Sequence, residues 1–179
     1  MPPILVVPVQ PYDDDALRAL IVPLESIFRF PASIDTAKSI DPSFAFDAYR
    51  NQFNSTSLIS AFTQRFNGLP GKIIGVTSVD LFVPVLTYVF GEAQLDGQMA
   101  VVSTHRLDDR LYGLPANPAL LHERLIKEAV HELGHTFGLV HCHDYQCVMH
   151  SSTAAEDIDV KSENFCPSCA ALLQDRERS

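Results

Sequence analysis

Basic residues are few in this sequence. It has 13 lysines and arginines against 22 aspartates and glutamates among 179 residues, which gives a formal net charge of -9. Domains that bind nucleic acids attract the phosphate backbone with clustered lysine and arginine side chains. The charge balance therefore argues against a nucleic-acid partner.

A targeting segment is also lacking at the N-terminus. The first residues, MPPILVVPVQPYDDD, have no basic start, and their apolar run is broken by Pro8 and followed by acid. A secretion signal needs a basic start and a longer apolar stretch, and a membrane-spanning helix needs about 20 apolar residues. We therefore expect no membrane association and a cytoplasmic protein.

Cysteine is scarce, with four in the chain. In a secreted protein these would suggest two disulfides, whereas the reducing cytosol favours free thiolates and metal binding. The composition, 46% hydrophobic and 20% charged, is that of a globular protein. The length fits one domain with a sizeable core, so we expect a single domain over residues 1–179.

The first third of the chain contains strand and helix patterns. Ile4–Val9 is apolar and β-branched, which predicts a strand, and the aspartates at 13–15 suit the start of a helix that Pro23 stops or kinks. Phe28 and Phe30 alternate with polar neighbours, so we predict a second strand over Ile27–Ile34. Residues 35–53 are polar and predict a loop.

The middle of the chain predicts one helix and two short strands. Asn54 or Ser55 can cap a helix whose apolar residues continue with helical spacing until Gly68. Ile73–Val76 and Leu81–Leu86 have strand composition, although the proline at 84 argues against a single central strand there.

A hairpin is predicted around Asp96-Gly97, because this pair separates the β-rich runs Thr87–Ala93 and Met99–Thr104. An exposed edge strand can pair with an extended peptide through its backbone. Our candidate for the edge is Met99–His105. His105 and Arg106 could reach a substrate there, although an exposed basic pair is more often solvated surface.

The stretch from His131 to Met149, HELGHTFGLVHCHDYQCVM, is the most informative part of the chain. It follows Asn117-Pro118, a favourable helix start. His131 and His135 lie four residues apart, so on a helix their rings project from one face and can share a metal ion. Glu132 lies beside that face, which completes the H-E-x-x-H signature of zinc hydrolases.

A third metal ligand is predicted after the helix. Gly138 lets the chain turn abruptly, and three residues, spanning at most about 10 Å, can return His141 to the metal. His143 and Asp144 are alternatives, but the motif spacing selects His141. Three protein ligands leave zinc an open position for water.

The first of the four cysteines comes directly after His141. Cys142, Cys147, Cys166 and Cys169 include one C-x-x-C pair, and four thiolates match a tetrahedral structural zinc site. A thiol redox protein using the C-x-x-C pair is an alternative, without a clear βαβ context to support it. The polar segment between Met149 and Cys166 predicts a surface loop.

The full string H-E-x-x-H-x-x-G-x-x-H followed by Met149 resembles the metzincin clan of zinc peptidases, and with the four cysteines it is similar to the archaemetzincins. The resemblance covers residues 131–169 and, more loosely, 75–93 and 103–107. It implies an α/β zincin-like metzincin fold: a twisted mixed sheet, a helix backing it, an active-site helix, and a small C-terminal subdomain stapled by zinc. The upper subdomain would end at about residue 138, with the lower at about 139–179, and Met149 would form the Met-turn below the zinc ligands.

The resemblance also implies function. A zinc metallopeptidase would hydrolyse a peptide or protein substrate through zinc-bound water activated by Glu132, and the chain would be a monomer. Two zinc ions per chain would be bound, one catalytic by His131, His135 and His141 and one structural by Cys142, Cys147, Cys166 and Cys169. The alternative is a non-catalytic zinc-binding interaction protein. If the enzyme were an aminopeptidase, Glu92, Asp144 or Asp157 could hold the substrate ammonium group.

Overall fold

The computed structural model describes residues 3–177, with side chains described as far as Asp175. This part of the chain contains eight strands and five α-helices. The strands are β1 (Ile4–Pro8), β2 (Ala32–Ile34), β3 (Phe46–Asp47), β4 (Gln52–Asn54), β5 (Lys72–Thr77), β6 (Leu81–Phe82), β7 (Gly91–Ala93) and β8 (Met99–Ser103). The α-helices are α1 (Asp14–Phe28), α2 (Ser55–Arg65), α3 (Pro118–Thr136), α4 (Ala155–Val160) and α5 (Pro167–Glu177).

Five strands form the main sheet, in the order β2-β1-β5-β8-β7. The first four are parallel, and β7 pairs antiparallel with β8. A second, three-stranded sheet has the order β3-β4-β6. The fold is therefore the mixed α/β arrangement that the sequence predicts, with the single antiparallel strand at one edge.

Alternating side chains of the central strands form two apolar clusters, one on each face of the main sheet. Ile74 and Val102 belong to the cluster that contains α1 and α3. Ile73 and Val101 belong to the cluster that contains α2. Because both faces are covered, β8 is buried along its whole length. The prediction that α2 backs the sheet is confirmed, and α3 lies on the opposite face.

The predictions for residues 23–34 are partly wrong. Pro23 lies inside α1 and does not end it, because Leu20 and Leu24 on either side of it are both buried in the same core. Phe28 ends the helix, and Arg29 follows in a left-handed conformation with φ of 61°. The alternating burial of Phe28 and Phe30 therefore comes from this helix end, and the strand is limited to β2.

The predicted hairpin is present, but its edge strand is a different one. β7 pairs with β8 in the register Gly91 to Val102, with Asp96 at φ of 54° in the turn between them. β8 also pairs with β5, so it is internal, and β7 is the edge. The prediction of Met99–His105 as the edge strand is wrong, because its continuous apolar run reflects burial on both faces.

The predicted surface loop after Met149 is partly helical. α4 lies within it, and Lys161, directly after α4, is only 3% exposed.

No helix within residues 3–177 combines the length and the apolar character needed to cross a membrane.

Candidate active site and metal centres

Helix α3 carries the first part of the site. It begins as predicted, with the Asn117 side chain accepting a hydrogen bond from the Leu120 amide and a proline at the first turn. Leu125 and Leu133 pack into the core on one side. His131 and Glu132, 5% and 6% exposed, lie at a cleft on another side of the helix.

The chain turns sharply after α3 and brings a third histidine to the first two. Gly138 has φ of 83°, and its amide donates to the carbonyl of His135 at 2.8 Å. The ring of His141 then lies with its centroid 5.3 Å from that of His131 and 5.1 Å from that of His135. One nitrogen from each of the three rings lies within 4.8 Å of the other two.

The orientation of the first two rings is set by main-chain carbonyls. His131 donates from Nδ1 to the Val148 carbonyl at 2.8 Å, and His135 donates from Nδ1 to the Leu139 carbonyl at 2.7 Å. A carbonyl oxygen only accepts, so both Nδ1 atoms carry the proton and both Nε2 atoms present lone pairs.

These two Nε2 atoms face each other at 3.1 Å. Two lone pairs at this distance repel unless a cation lies between them. Two nitrogens each about 2.1 Å from a tetrahedral zinc ion lie about 3.4 Å apart, close to the observed spacing. The three histidines therefore fit a metal ion with three nitrogen ligands.

The surroundings of the three imidazoles favour the neutral form that binds metals. Desolvation lowers the pKa of His135 and His141, and it lowers that of His131 well below its usual range. Lys161 adds to this effect at each ring. A histidine must be unprotonated to donate a lone pair to a metal, so this environment favours ligation.

Glu132 is adjacent to the three histidines in the cleft without being a member of their cluster. Burial raises its pKa well above the usual range, and the nearby carboxylates of Glu128 and Glu92 raise it further. A raised pKa brings a carboxyl group closer to the pH range in which it can both take up and release a proton.

Gly91 on the edge strand packs directly against Glu132. A Cβ atom at Gly91 would lie 2.7 Å from Cγ of Glu132 and 2.8 Å from its Oε1 atom. Only glycine allows this approach. Gly91 is not identifiable from the sequence, because nothing in its local pattern reveals which side chain it faces.

The cleft has a volume of about 480 Å³. One rim is formed by residues 86–93, which include β7, and a second rim by residues 151–153. Side chains of α3 and His141 line it between these rims. The site is therefore open to a ligand that runs beside the edge strand.

A buried ion pair lies beside the cleft. Lys161 donates to Glu128 Oε1 at 3.0 Å, and the two side chains are 0% and 4% exposed. The same ammonium group donates to the carbonyls of Val148 at 3.4 Å and His150 at 3.0 Å. Lys161 thus contacts the carbonyl that orients His131. Lys161 was not identified from the sequence, where it lies in the polar stretch assigned to a surface loop.

The four cysteines form a second cluster, with all four sulfur atoms within 4.8 Å of one another. Cys142 Sγ and Cys166 Sγ are 3.8 Å apart, whereas a disulfide has its sulfurs about 2.05 Å apart. Sulfurs bound 2.3 Å from a tetrahedral zinc lie about 3.8 Å from one another. The Cys166 amide also donates to Cys147 Sγ at 3.3 Å, as an amide does to a thiolate. The cluster fits a zinc ion.

Met149 is fully buried and lies against α3. A Cβ atom added to Gly134 would lie 2.5 Å from its sulfur, so the helix and the methionine are in close contact one residue before His135. The Met149 carbonyl accepts from the Cys142 amide at 2.9 Å, which joins this turn to the cysteine cluster.

The other candidate residues predicted from the sequence do not lie together in the structure. Among the described residues, His143 belongs to neither metal cluster. Glu92 lines the cleft, where its carboxylate accepts from the hydroxyls of Ser55 and Thr56. Asp144 and Asp157 accept from nearby backbone amides and do not line the cleft.

His105 and Arg106 also lie away from the cleft lining. Arg106 donates from two nitrogens to both carboxylate oxygens of Asp80, and His105 Nε2 is 3.9 Å from the same carboxylate. Both residues are half-buried, and Arg106 is held in an ion pair outside the cleft lining.

Known proteins resemble this chain over nearly its whole length. Residues 45–175 match the profile of Peptidase family M54. The archaemetzincin of Methanocaldococcus jannaschii is 37% identical over 174 residues, covering 97% of this chain and 93% of that protein. The archaemetzincin of Pyrococcus furiosus is 38% identical over 180 residues, with the same coverage of 97% and 93%.

Solved structures of archaemetzincins have the same fold as this chain. A crystal structure of archaemetzincin from Methanopyrus kandleri has a TM-score of 0.85 at 32% identity, covering 99% of this chain and 96% of that one. A structure of archaemetzincin from Archaeoglobus fulgidus, complexed with malonate, has a TM-score of 0.81 at 34% identity, covering 95% and 99%. The resemblance inferred from the motifs is confirmed, and this chain belongs to the archaemetzincins, Peptidase family M54, a family of zinc metallopeptidases.

Proposed function

We propose that this zinc metallopeptidase binds two zinc ions and hydrolyses peptide bonds in the cleft between residues 86–93 and 151–153. His131, His135 and His141 hold the catalytic ion, and the four cysteines hold the structural ion. The observation that carries the proposal is the pair of unprotonated Nε2 atoms facing each other at 3.1 Å beside a buried carboxyl group. This combination suits a metal-assisted hydrolase better than a closed structural site.

Zinc, when bound by the three histidines, supplies Lewis acidity that polarises a carbonyl group and makes water a stronger acid. Glu132 acts as the proton carrier: it accepts a proton from the attacking water and delivers it to the leaving amine. Its raised pKa suits both steps, because the carboxyl group must hold the proton between them. Gly91 and α3 restrict where this carboxyl group can lie.

The substrate is an extended peptide held along the edge strand β7. Within residues 3–177 this strand pairs with β8 alone, so backbone groups on its other side are available for pairing within the cleft. Backbone pairing gives affinity without demanding particular side chains. We propose this strand in place of Met99–His105, which is internal.

The cysteine zinc stabilises the C-terminal part of a single catalytic domain over residues 1–179. Residues 139–179 are too few to build a large core of their own, so a metal ion supplies stability there. We propose that the upper subdomain ends at about residue 138, where Gly138 turns the chain. That the protein acts as a monomer in the cytoplasm stays a prediction from the sequence.

The test of this function uses Glu132→Ala and Glu132→Gln beside the wild type. Each protein is incubated with a defined peptide library, cleavage sites are mapped by mass spectrometry, and zinc content is measured. We expect the wild type to cleave and both variants to be inactive with unchanged zinc content, because Glu132 carries protons and is not a ligand. Loss of zinc from the variants, or cleavage by them, would contradict the assignment.

A further inference from the structure

The two rims of the cleft are joined by a side-chain hydrogen bond. Tyr88 lies on the first rim, and its hydroxyl donates to the carbonyl of Thr153 on the second rim at 2.6 Å. Both residues line the cleft. A peptide that runs between the rims meets this bond as a barrier across its path.

The tyrosine ring is held in place by two neighbouring side chains. The Arg106 guanidinium lies 4.5 Å from the ring centroid, and Arg106 is itself held by a two-nitrogen contact with Asp80. The Phe90 ring packs against the same tyrosine, with centroids 5.6 Å apart and planes at 74°. A ring with these two contacts loses little further freedom when its hydroxyl forms a hydrogen bond.

The position of Thr153 is also fixed, by hydrogen bonds to Asp157. Its amide and its hydroxyl both donate to Asp157 Oδ2, at 2.8 Å and 3.0 Å, and the Ala154 amide donates to the same oxygen at 3.0 Å. Asp157 belongs to α4, which is anchored to α3 through the bidentate contact of Arg124 with Asp159. The acceptor carbonyl is thus positioned by the fold.

The barrier lies a short distance from the proposed reaction centre. Gly91, which packs against Glu132, is three residues along the rim from Tyr88. The chain bends at Phe90 between these two residues, so their separation is at most the roughly 10 Å that three extended residues span. A peptide alongside this rim therefore has room for at most about three residues between the bond being cleaved and the barrier.

We propose that the Tyr88–Thr153 bridge determines substrate length: it closes one end of the cleft, so that the enzyme acts within about three residues of one end of a peptide. The inference rests on the proposed peptidase function and adds a specificity-determining residue to it. Tyr88 selects by excluding longer chains and takes no part in proton transfer.

The test uses two series of peptides built on one core that the wild type cleaves, the first lengthened stepwise at the N-terminus and the second at the C-terminus. For each peptide, kcat/KM is measured with the wild type, Tyr88→Phe and Tyr88→Ala. Affinity for the same peptides is measured with Glu132→Ala, which reports binding without hydrolysis. The matched control is Tyr112→Phe, which loses a hydroxyl bound to the Arg106 carbonyl at 2.9 Å, outside the cleft lining.

We expect kcat/KM of the wild type to fall in one series once about three residues are exceeded, and affinity to fall with it. Tyr88→Phe should raise the ratio of long-peptide to short-peptide kcat/KM by about five-fold, the factor that one net hydrogen bond contributes. Tyr88→Ala should raise it further, because the ring is gone, and Tyr112→Phe should leave it unchanged.

This proposal would be overturned if peptides are cleaved but kcat/KM does not depend on their length. It would also be overturned if neither Tyr88 variant relieves such a dependence. In both cases the proposed function would still hold. If no peptide is cleaved, the proposed function fails, and the affinity measurements alone then decide whether the cleft discriminates by length. Equal affinity for all lengths, or no binding at all, would overturn the bridge as a barrier.

Discussion

The Glu132 side chain lies against Gly91, with room for a hydrogen atom and not for a methyl group. A Cβ atom at Gly91 would come within 2.8 Å of the Glu132 carboxylate and 2.5 Å of the Val101 carbonyl. The edge strand that we expect to hold the substrate therefore also limits the position of the proton-carrying group.

We predict that Gly91→Ala lowers kcat/KM by about 100-fold, the loss that a misplacement of about 1 Å can cause in a catalytic group. Zinc content should remain that of the wild type, because the histidines are not contacted. Peptide hydrolysis and metal analysis on the same preparation provide the measurement. Unchanged activity would show that the strand and Glu132 move apart at no cost to catalysis.

Gly68→Ala is the control for this substitution. Gly68 has φ of 82°, and a Cβ atom there would meet nothing within 4 Å. The change costs roughly 1–2 kcal/mol of stability, because a left-handed conformation disfavours a side chain. Its kcat/KM should stay within a few-fold of the wild type, so a loss of activity in Gly91→Ala alone is not a general effect of losing a glycine.

The third ligand can be tested with a pair of alanine variants. His141→Ala should lower the affinity for the catalytic zinc by at least the roughly 10–100-fold that removal of an outer-shell partner costs, and should abolish hydrolysis. His143→Ala should retain zinc and activity, because this side chain belongs to neither metal cluster among the described residues. Zinc competition with a chromophoric chelator measures both. The opposite pattern would show that the turn after Gly138 is assigned wrongly.

We predict about two zinc ions per chain, with different retention. The ion held by three neutral histidines should be lost to a chelator first, and the ion held by four thiolates should persist until the protein unfolds. Cys166→Ser should lower the melting temperature much more than His105→Ala. One zinc per folded chain, together with four thiols that titrate readily, would rule out the cysteine site.

Because Lys161 and Glu128 form a buried ion pair, we predict that removing either side chain makes the other one destabilising. Burial raises the pKa of Glu128 and Lys161 lowers it, so Lys161→Met leaves the carboxyl group without the charge that favours its ionised form. We expect this variant to lose about 3–5 kcal/mol of stability, the usual cost of removing one partner of a buried pair.

Adding Glu128→Met to Lys161→Met should recover most of that loss, because two apolar side chains then fill the space together. Thermal unfolding of the zinc-loaded proteins measures the two single variants and the double variant. Additive losses in the double variant would mean that the pair contributes nothing as a pair.

The histidine cluster and α3 are predictable from the sequence because their geometry is local. Four-residue spacing on a helix brings His131 and His135 together whatever surrounds them, and Gly138 provides the turn toward His141. The cysteine cluster is predictable for another reason: four thiolates that include a C-x-x-C pair match a zinc site, although Cys142 and Cys166 are 24 residues apart. The fold class follows from the same string through family resemblance.

The parts that the sequence does not predict depend on contacts between distant segments. The polar neighbours of Lys161 predict a surface residue. It is buried because its side chain contacts Glu128, 33 residues earlier in the chain. β8 was assigned to the edge because the partner strand β5, which covers its other side, lies more than 20 residues before it. The roles of Gly91 and Tyr88 are not predictable from the sequence either, since each contacts a residue more than 40 positions away.

The two carbonyls that orient His131 and His135 belong to Val148 and Leu139. A peptide oxygen is the same chemical group whichever side chain its residue carries. An alanine scan through positions 139 and 148 would therefore report only lost packing, and relatives can differ at both positions while keeping both ring orientations. Replacing the peptide bond by an ester, with its weaker acceptor carbonyl, would expose this support where ordinary mutagenesis does not.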